Sequence, residues 1–191
     1  MDILRSIIIR FDGWLSQREG VIPFTEDEGI IFRLQTGSVS HDLYLYDETI
    51  AAGSKVLFIH MWNERIPQTP DNGPDLAYGL KLQKLIFTSY KAIAKHILAD
   101  PSLMDIRAIG GISALASLRE SDGGRIMFEH MGFRVMPYHR PFGAFGEFWE
   151  NFYTWWLMWT FNPTSVKYRS MWDFQRTEFW MTKDSFLRKY G

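Results

Sequence analysis

His60, Trp62, Asn63, Glu64 and Arg65 crowd the point where the apolar run Lys55-Val56-Leu57-Phe58-Ile59 gives way to polar side chains. An imidazole titrates near neutrality and suits general-base work. A carboxylate orients such a base or replaces it, so His60 and Glu64 are the candidate catalytic pair. Asn63 completes the catalytic set as a donor to a developing oxyanion. Arg65 suits a substrate carboxylate or phosphate, with Trp62 beside it. His139 and Arg140, past the end of a later apolar run, are candidates for the same substrate-binding edge. A structural network that pins a strand end would use these same residue types, and the spacing does not choose between the two.

Other chemistries lack a pattern. The five histidines are scattered without His-x-x-x-His or paired-carboxylate spacing, so no metal is expected. Ser113 has no Gly-x-Ser-x-Gly context. A net charge of −1 and the lack of a basic stripe argue against nucleic acid as a partner. There are no cysteines, hence no disulfides or thiolate metal sites. No secretory leader and no uninterrupted apolar span of about 18 residues is visible. The expected location is cytoplasmic, with peripheral attachment to the membrane.

The elements that would carry these groups follow from periodicity. Alternation puts Val56, Phe58 and His60 on one strand face, expected to be the buried side, and Leu57, Ile59 and Met61 on the other. Asp2 caps a first helix with apolar Ile3, Leu4, Ile7, Ile8, Phe11, Trp14 and Leu15, ended by Gly20 and Pro23. Strand-like runs at 29–36 and 41–46, a turn at Asp47-Glu48 and the strand at 55–61 predict an antiparallel meander. Prolines 67, 70 and 74 mark a loop, after which Asp75 caps a long helix stopped by Asp100-Pro101. Gly110-Gly111 interrupts a buried strand at 105–117, where a bulge or a close backbone approach is expected. A short helix at 125–131, the cap Gly132 and a strand at 133–137 follow. The expectation is an α+β domain over 1–140, a mostly antiparallel sheet flanked by helices. Residues 141–191, without strand character, would form an aromatic-rich helical appendage packed on it.

That segment is a second signal. Phe145, Phe148, Trp149, Phe152, Trp155, Trp156 and Trp159 recur every three or four residues, one helical stripe, with Glu147, Glu150, Asn151 and Thr154 opposite. Tryptophan is costly in a core because its indole N–H needs a partner, and it favours membrane interfaces. Trp149, Phe152, Trp155, Trp156 and Trp159 are therefore candidates for contact with a membrane surface or, equally, with a second copy in a homodimer. Beyond Thr164, six basic residues outnumber Asp173, Glu178 and Asp184, an excess of three charges that favours an anionic leaflet.

Two resemblances add to this reading. The element order and the run "GGRIMFEHMGF" resemble the C-terminal half of the GNAT acyltransferase fold, which implies a GNAT-like sheet and a coenzyme A thioester donor. The family's pyrophosphate cradle, a Gln/Arg-x-x-Gly-x-Gly/Ala turn, is not matched: residues 63–78 read NERIPQTPDNGPDLAY, with Gly73 alone available. Nearly the whole chain, through "LFIHMWNERIP", "GGRIMFEHMGFRV" and "RTEFWMTKDSFLRKYG", is similar to bacterial YkoP-like proteins. These occur alone or joined to polysaccharide-deacetylase domains, an indirect pointer to glycans. The function expected is an acyltransferase-like protein at the cytoplasmic membrane face, acting on a lipid or cell-envelope precursor, that is, a small-molecule or lipid substrate. The alternatives are a lipid- or glycan-binding module without coenzyme A chemistry, and a structural homodimer.

Overall fold

A computed structural model describes residues 2–114, 118, 122–139, 143–167 and 170–191. Helix α1 (Asp2–Glu19) ends at Gly20, whose φ of +72° only glycine adopts readily. Strand β1 (Phe32–Ser38) is followed by the short pair β2 (Leu43–Tyr44) and β3 (Thr49–Ile50), then by β4 (Lys55–Met61). Helix α2 (Leu76–Ala99) begins beside Asp75, whose Oδ1 accepts the Tyr78 N–H at 2.7 Å, and stops before Asp100-Pro101. Strand β5 (Ala108–Ser113) leads to α3 (Gly123–His130), capped by Asp122 through the Arg125 N–H at 2.9 Å. Strand β6 (Arg134–Pro137), helix α4 (Gly143–Phe161), strand β7 (Thr177–Thr182) and helix α5 (Lys183–Tyr190) complete the order. With five α-helices among the described residues and a largely antiparallel sheet, the class is α+β.

The strand order β1-β4-β5-β7-β6 corrects two expectations. The first is the meander. β2 and β3 pair only with each other among the described residues, Leu43 opposite Ile50, and β4 lies between β1 and β5, parallel to β5. The second is the strand-free C-terminal segment. β7 is a central strand, antiparallel to both β5 and β6, with all six residues buried. Its period is legible once seen, since Thr177, Phe179 and Met181 share one face and Glu178, Trp180 and Thr182 the other. A buried glutamate in mid-strand is what concealed it.

Two compact units divide the chain. One comprises Leu34–His60, Tyr90–His139 and Gln175–Gly191 and contains most of the sheet. On one face of that sheet Tyr90, Phe128, Phe133, Phe179, Phe186 and Tyr190 form a continuous aromatic cluster with centroids 4.4–6.4 Å apart. On the other face Val39, Leu43, Leu45 and Ile50 pack with Val56, Ala108 and Trp180. The close approach expected at the paired glycines is real: a Cβ on Gly110 would collide with the Phe179 carbonyl oxygen and the Trp180 ring.

The other unit comprises Met1–Arg33, Met61–Ser89 and Arg140–Phe174. Here α1 lies against α4, joined by polar groups. Asp12, 4 % exposed, accepts the Tyr153 hydroxyl at 2.7 Å and pairs with Arg33 at 3.4 Å. Arg33 also donates to Ser16 at 3.1 Å. The C-terminal end of α4 is tied to the 67–69 loop. The Asn162 amide donates to the Pro67 carbonyl oxygen at 3.0 Å and accepts the Thr69 N–H at 3.1 Å.

Candidate functional site

Chemistry-bearing side chains of the sheet unit converge on Glu178. Register places Trp180 opposite Gly110, and the missing side chain there lets the indole lie over β5. Phe58 meets that indole edge-on at 5.3 Å. The indole Nε1–H donates to Glu178 Oε2 at 2.8 Å. The His139 backbone N–H donates to the other carboxylate oxygen at 2.9 Å. His41, from the segment after β1, brings Nε2 to 3.4 Å from Oε2, and its ring lies 4.8 Å from the His139 ring at 33°. Its Nδ1 is 3.3 Å from the hydroxyl of exposed Ser40. A carboxylate with a 5 % exposed side chain is costly to bury without such partners. The geometry supplies donors to both of its oxygens. Ile112 on β5 and Met136 on β6 sit opposite Glu178 in register, and Ile112 is 44 % exposed. The carboxylate therefore lies at the edge of a partly open apolar strip.

His60 follows Phe58 on the same strand face and is half-buried, whereas Leu57 and Ile59 on the opposite face are buried. The face expected to be buried is thus the more open one at this end. His60 Nε2 is 2.8 Å from Gln35 Oε1, which anchors the ring to β1. Of the other expected residues, His139 belongs to the Glu178 cluster through its backbone and its ring, and Arg140 lies outside the described residues.

Trp62, Asn63, Glu64 and Arg65 fall in the other unit, the last three in a 3₁₀ turn. Arg65 stacks 3.6 Å from the Trp62 ring centroid, and its Nη1 donates to the carbonyl oxygens of Asp27 and Ile30. Arg33 approaches the same ring at 5.9 Å. Arg65 thus fastens the segment before β1 to the turn, while Asn63 is half-buried and Glu64 exposed.

In the aromatic helix Trp149 is 51 % exposed, and Phe152, Trp155, Trp156 and Trp159 are half-buried. Asn151, expected on the polar outer face, is instead buried and donates to the Phe174 carbonyl oxygen at 3.3 Å. Arg5 of α1 lies 5.6 Å over the Trp159 ring. Burial, and next the bond to Asp12, raise the Tyr153 phenol far above its ordinary range, so it serves as a fixed donor.

The residues at the start of α2 do not fit a coenzyme A pyrophosphate. Asp75 already places a carboxylate on the Tyr78 N–H in the first turn of α2, where it would repel a phosphate, and Pro70 and Pro74 have no N–H to offer. Among the described residues no group of three or more His, Asp or Glu side chains is arranged to hold a metal ion, and no helix is long and apolar enough to cross a membrane.

Sequence reading missed Ser40, His41, Gln35 and Glu178, together with Asp12 and Arg33. The available signals were charges inside apolar periods: Glu178 within a β-prone run, Asp12 on an apolar helix and Arg33 within a strand. No curated protein and no solved structure matches the chain. A family model described as the YkoP domain matches residues 36–190, and the chain belongs to the YkoP domain family.

Proposed function

We propose that this protein binds or processes lipid or cell-envelope molecules at an anionic membrane surface, docking through the outward face of α1. One observation carries the reading. α1 buries Ile8 and Asp12 and turns Ile3, Leu4, Ile7, Phe11 and Trp14 to solvent. The buried Asp12–Arg33 pair and the Tyr153 bond fix the helix's rotation, so the apolar strip is held outward rather than left there by chance. Exposed Arg10 and Arg18 sit beside the strip, as in helices that lie in the plane of an interface. Each such charge contributes about 1 kcal/mol near an anionic leaflet. Each large apolar side chain contributes about 1.5–3 kcal/mol when fully buried, so insertion outweighs charge.

Flotation with vesicles of phosphatidylcholine and phosphatidylglycerol tests it. The wild type should float with the vesicles, and the Phe11→Ser, Trp14→Ser double variant should stay behind. A wild type that never floats sinks the proposal. If it is also a dimer that the double variant converts to monomer, the strip belongs to a self-interface.

The finer reading is acyl transfer at that surface, with His60 or Glu64 as base. It is supported by the half-buried imidazole that Gln35 orients at the end of β4. Loss of turnover in Glu64→Gln or His60→Gln with vesicle binding intact would favour an enzyme. A protein that binds lipid and turns nothing over is a binding module.

A further inference from the structure

We infer that Ser40, His41 and Glu178 form a hydroxyl–imidazole–carboxylate relay that transfers the acyl group of a carboxylic ester to water. The inference does not depend on the membrane reading, because every residue it uses lies in the sheet unit. Three features carry it. The first is connectivity: Ser40 Oγ to His41 Nδ1 is 3.3 Å, and His41 Nε2 to Glu178 Oε2 is 3.4 Å. The imidazole thus lies between a hydroxyl and a carboxylate, the arrangement that activates a serine nucleophile. Contacts of this kind are commonly long before substrate binds.

The second feature is the contrast in exposure. Ser40 is open to solvent, His41 is half-buried and Glu178 is buried. The reacting oxygen is therefore accessible, while the carboxylate beside the imidazole is held by the Trp180 indole and the His139 amide. With Nε2 on the side of Glu178 at ion-pair distance, Nδ1 is the nitrogen that faces the serine hydroxyl and is placed to accept its proton. The third feature is the apolar strip of Ile112 and Met136 flanking Glu178 in register, a surface suited to an acyl chain.

The chemistry balances with water as the only co-reactant. Ser40 Oγ attacks the ester carbonyl carbon as its proton passes to His41 Nδ1. The new Oγ–C bond persists, the bond to the alkoxy group breaks, and His41 returns the proton to the departing alcohol. Water, deprotonated by His41, then attacks the acyl-serine. The acid leaves and Oγ recovers its proton.

An alkyl fluorophosphonate, applied to the full chain and followed by intact mass and peptide mapping, tests the relay. The expected result is one adduct on Ser40, absent in Ser40→Ala. General-base assistance is worth on the order of 100-fold or more, so His41→Ala should slow labelling by about that factor. Glu178→Gln should slow it as well, but burial puts its folding at risk. The half-buried His41 variant, with its fold checked by circular dichroism, keeps the test decisive. No adduct on folded wild type, an adduct elsewhere, or equal rates in wild type and His41→Ala would overturn the inference.

Discussion

The Tyr153 hydroxyl on α4 donates to Asp12 on α1 at 2.7 Å, and the carboxylate it meets is itself paired with Arg33. An apolar-looking helix therefore turns its one buried acid inward beside Ile8 and leaves Ile3, Leu4, Ile7, Phe11 and Trp14 outward. Removing the acid leaves the Arg33 guanidinium buried without its ion partner. Asp12→Ala should cost about 3–5 kcal/mol, whereas Tyr153→Phe, which removes one donor, should cost about 1–3 kcal/mol. Urea denaturation of the two variants checks the order. Equal and small losses would mean that the pair does not hold α1 in place.

Gly110 should tolerate no side chain. Its hypothetical Cβ falls on the Phe179 carbonyl oxygen and under the Trp180 ring, and a backbone oxygen cannot swing away as a side chain can. Overpacking costs about 1–3 kcal/mol when a core can adjust. The rigid partner here places Gly110→Ala at or above the upper end. Gly123→Ala serves as the control, since nothing lies within 4 Å of a Cβ there. Thermal melts of the pair give the comparison, and a Gly110→Ala melt that matches the control would refute the close approach.

Trp180 and Glu178 form a second buried dependence. Trp180→Phe keeps an aromatic ring over Gly110 and the edge-on contact with Phe58 but removes the 2.8 Å indole donor. The carboxylate would keep the His139 amide on Oε1 and lose its shortest contact on Oε2. A lost bond to a charged group is worth about 1.5–3 kcal/mol. Trp180→Phe combined with Glu178→Gln should therefore lose less than the sum of the single variants, a coupling that a double-mutant cycle reads directly.

Of these three sites only Gly110 was readable in the sequence, whereas Asp12, Arg33 and Glu178 were not. Helix ends, the α+β class and the glycine approach were legible because local chemistry sets them: Asp75 and Asp122 cap, Gly132 closes at φ +93°, and Pro101 stops α2. The place of β7 was not, because inserting a C-terminal strand between β5 and β6 is a long-range pairing with no local signature. The candidate site was half legible. His60 and His139 stand out as lone imidazoles, but His60 pairs with Gln35, and His139 joins a carboxylate 39 residues away. Periodicity also left the facing of α1 and α4 open. Apolar spacing reveals a face without saying which side it points to, and the inward polar residues Asp12 and Asn151 decide that through partners distant in sequence.

Alkaline stability should expose the aromatic cluster. Burial pushes the Tyr190 phenol up to about 12, and its hydroxyl donates to the Met131 carbonyl oxygen at 2.7 Å. Tyr90, whose ring lies tilted against it at 5.0 Å, is raised further by burial. A folded-state value above the ordinary tyrosine value of about 10 means that the folded protein holds its proton more tightly than the unfolded chain. That stabilisation is complete below about pH 10 and disappears as pH rises through about 12. Wild type should therefore lose melting temperature steeply across that window. Tyr190→Phe should start about 1 kcal/mol less stable at pH 7, from the lost hydrogen bond. It should then decline less steeply, so that the two melting curves approach each other by pH 12. Parallel declines would mean that the Tyr190 hydroxyl titrates alike in the folded and unfolded chain, and that the cluster does not exclude its charged form.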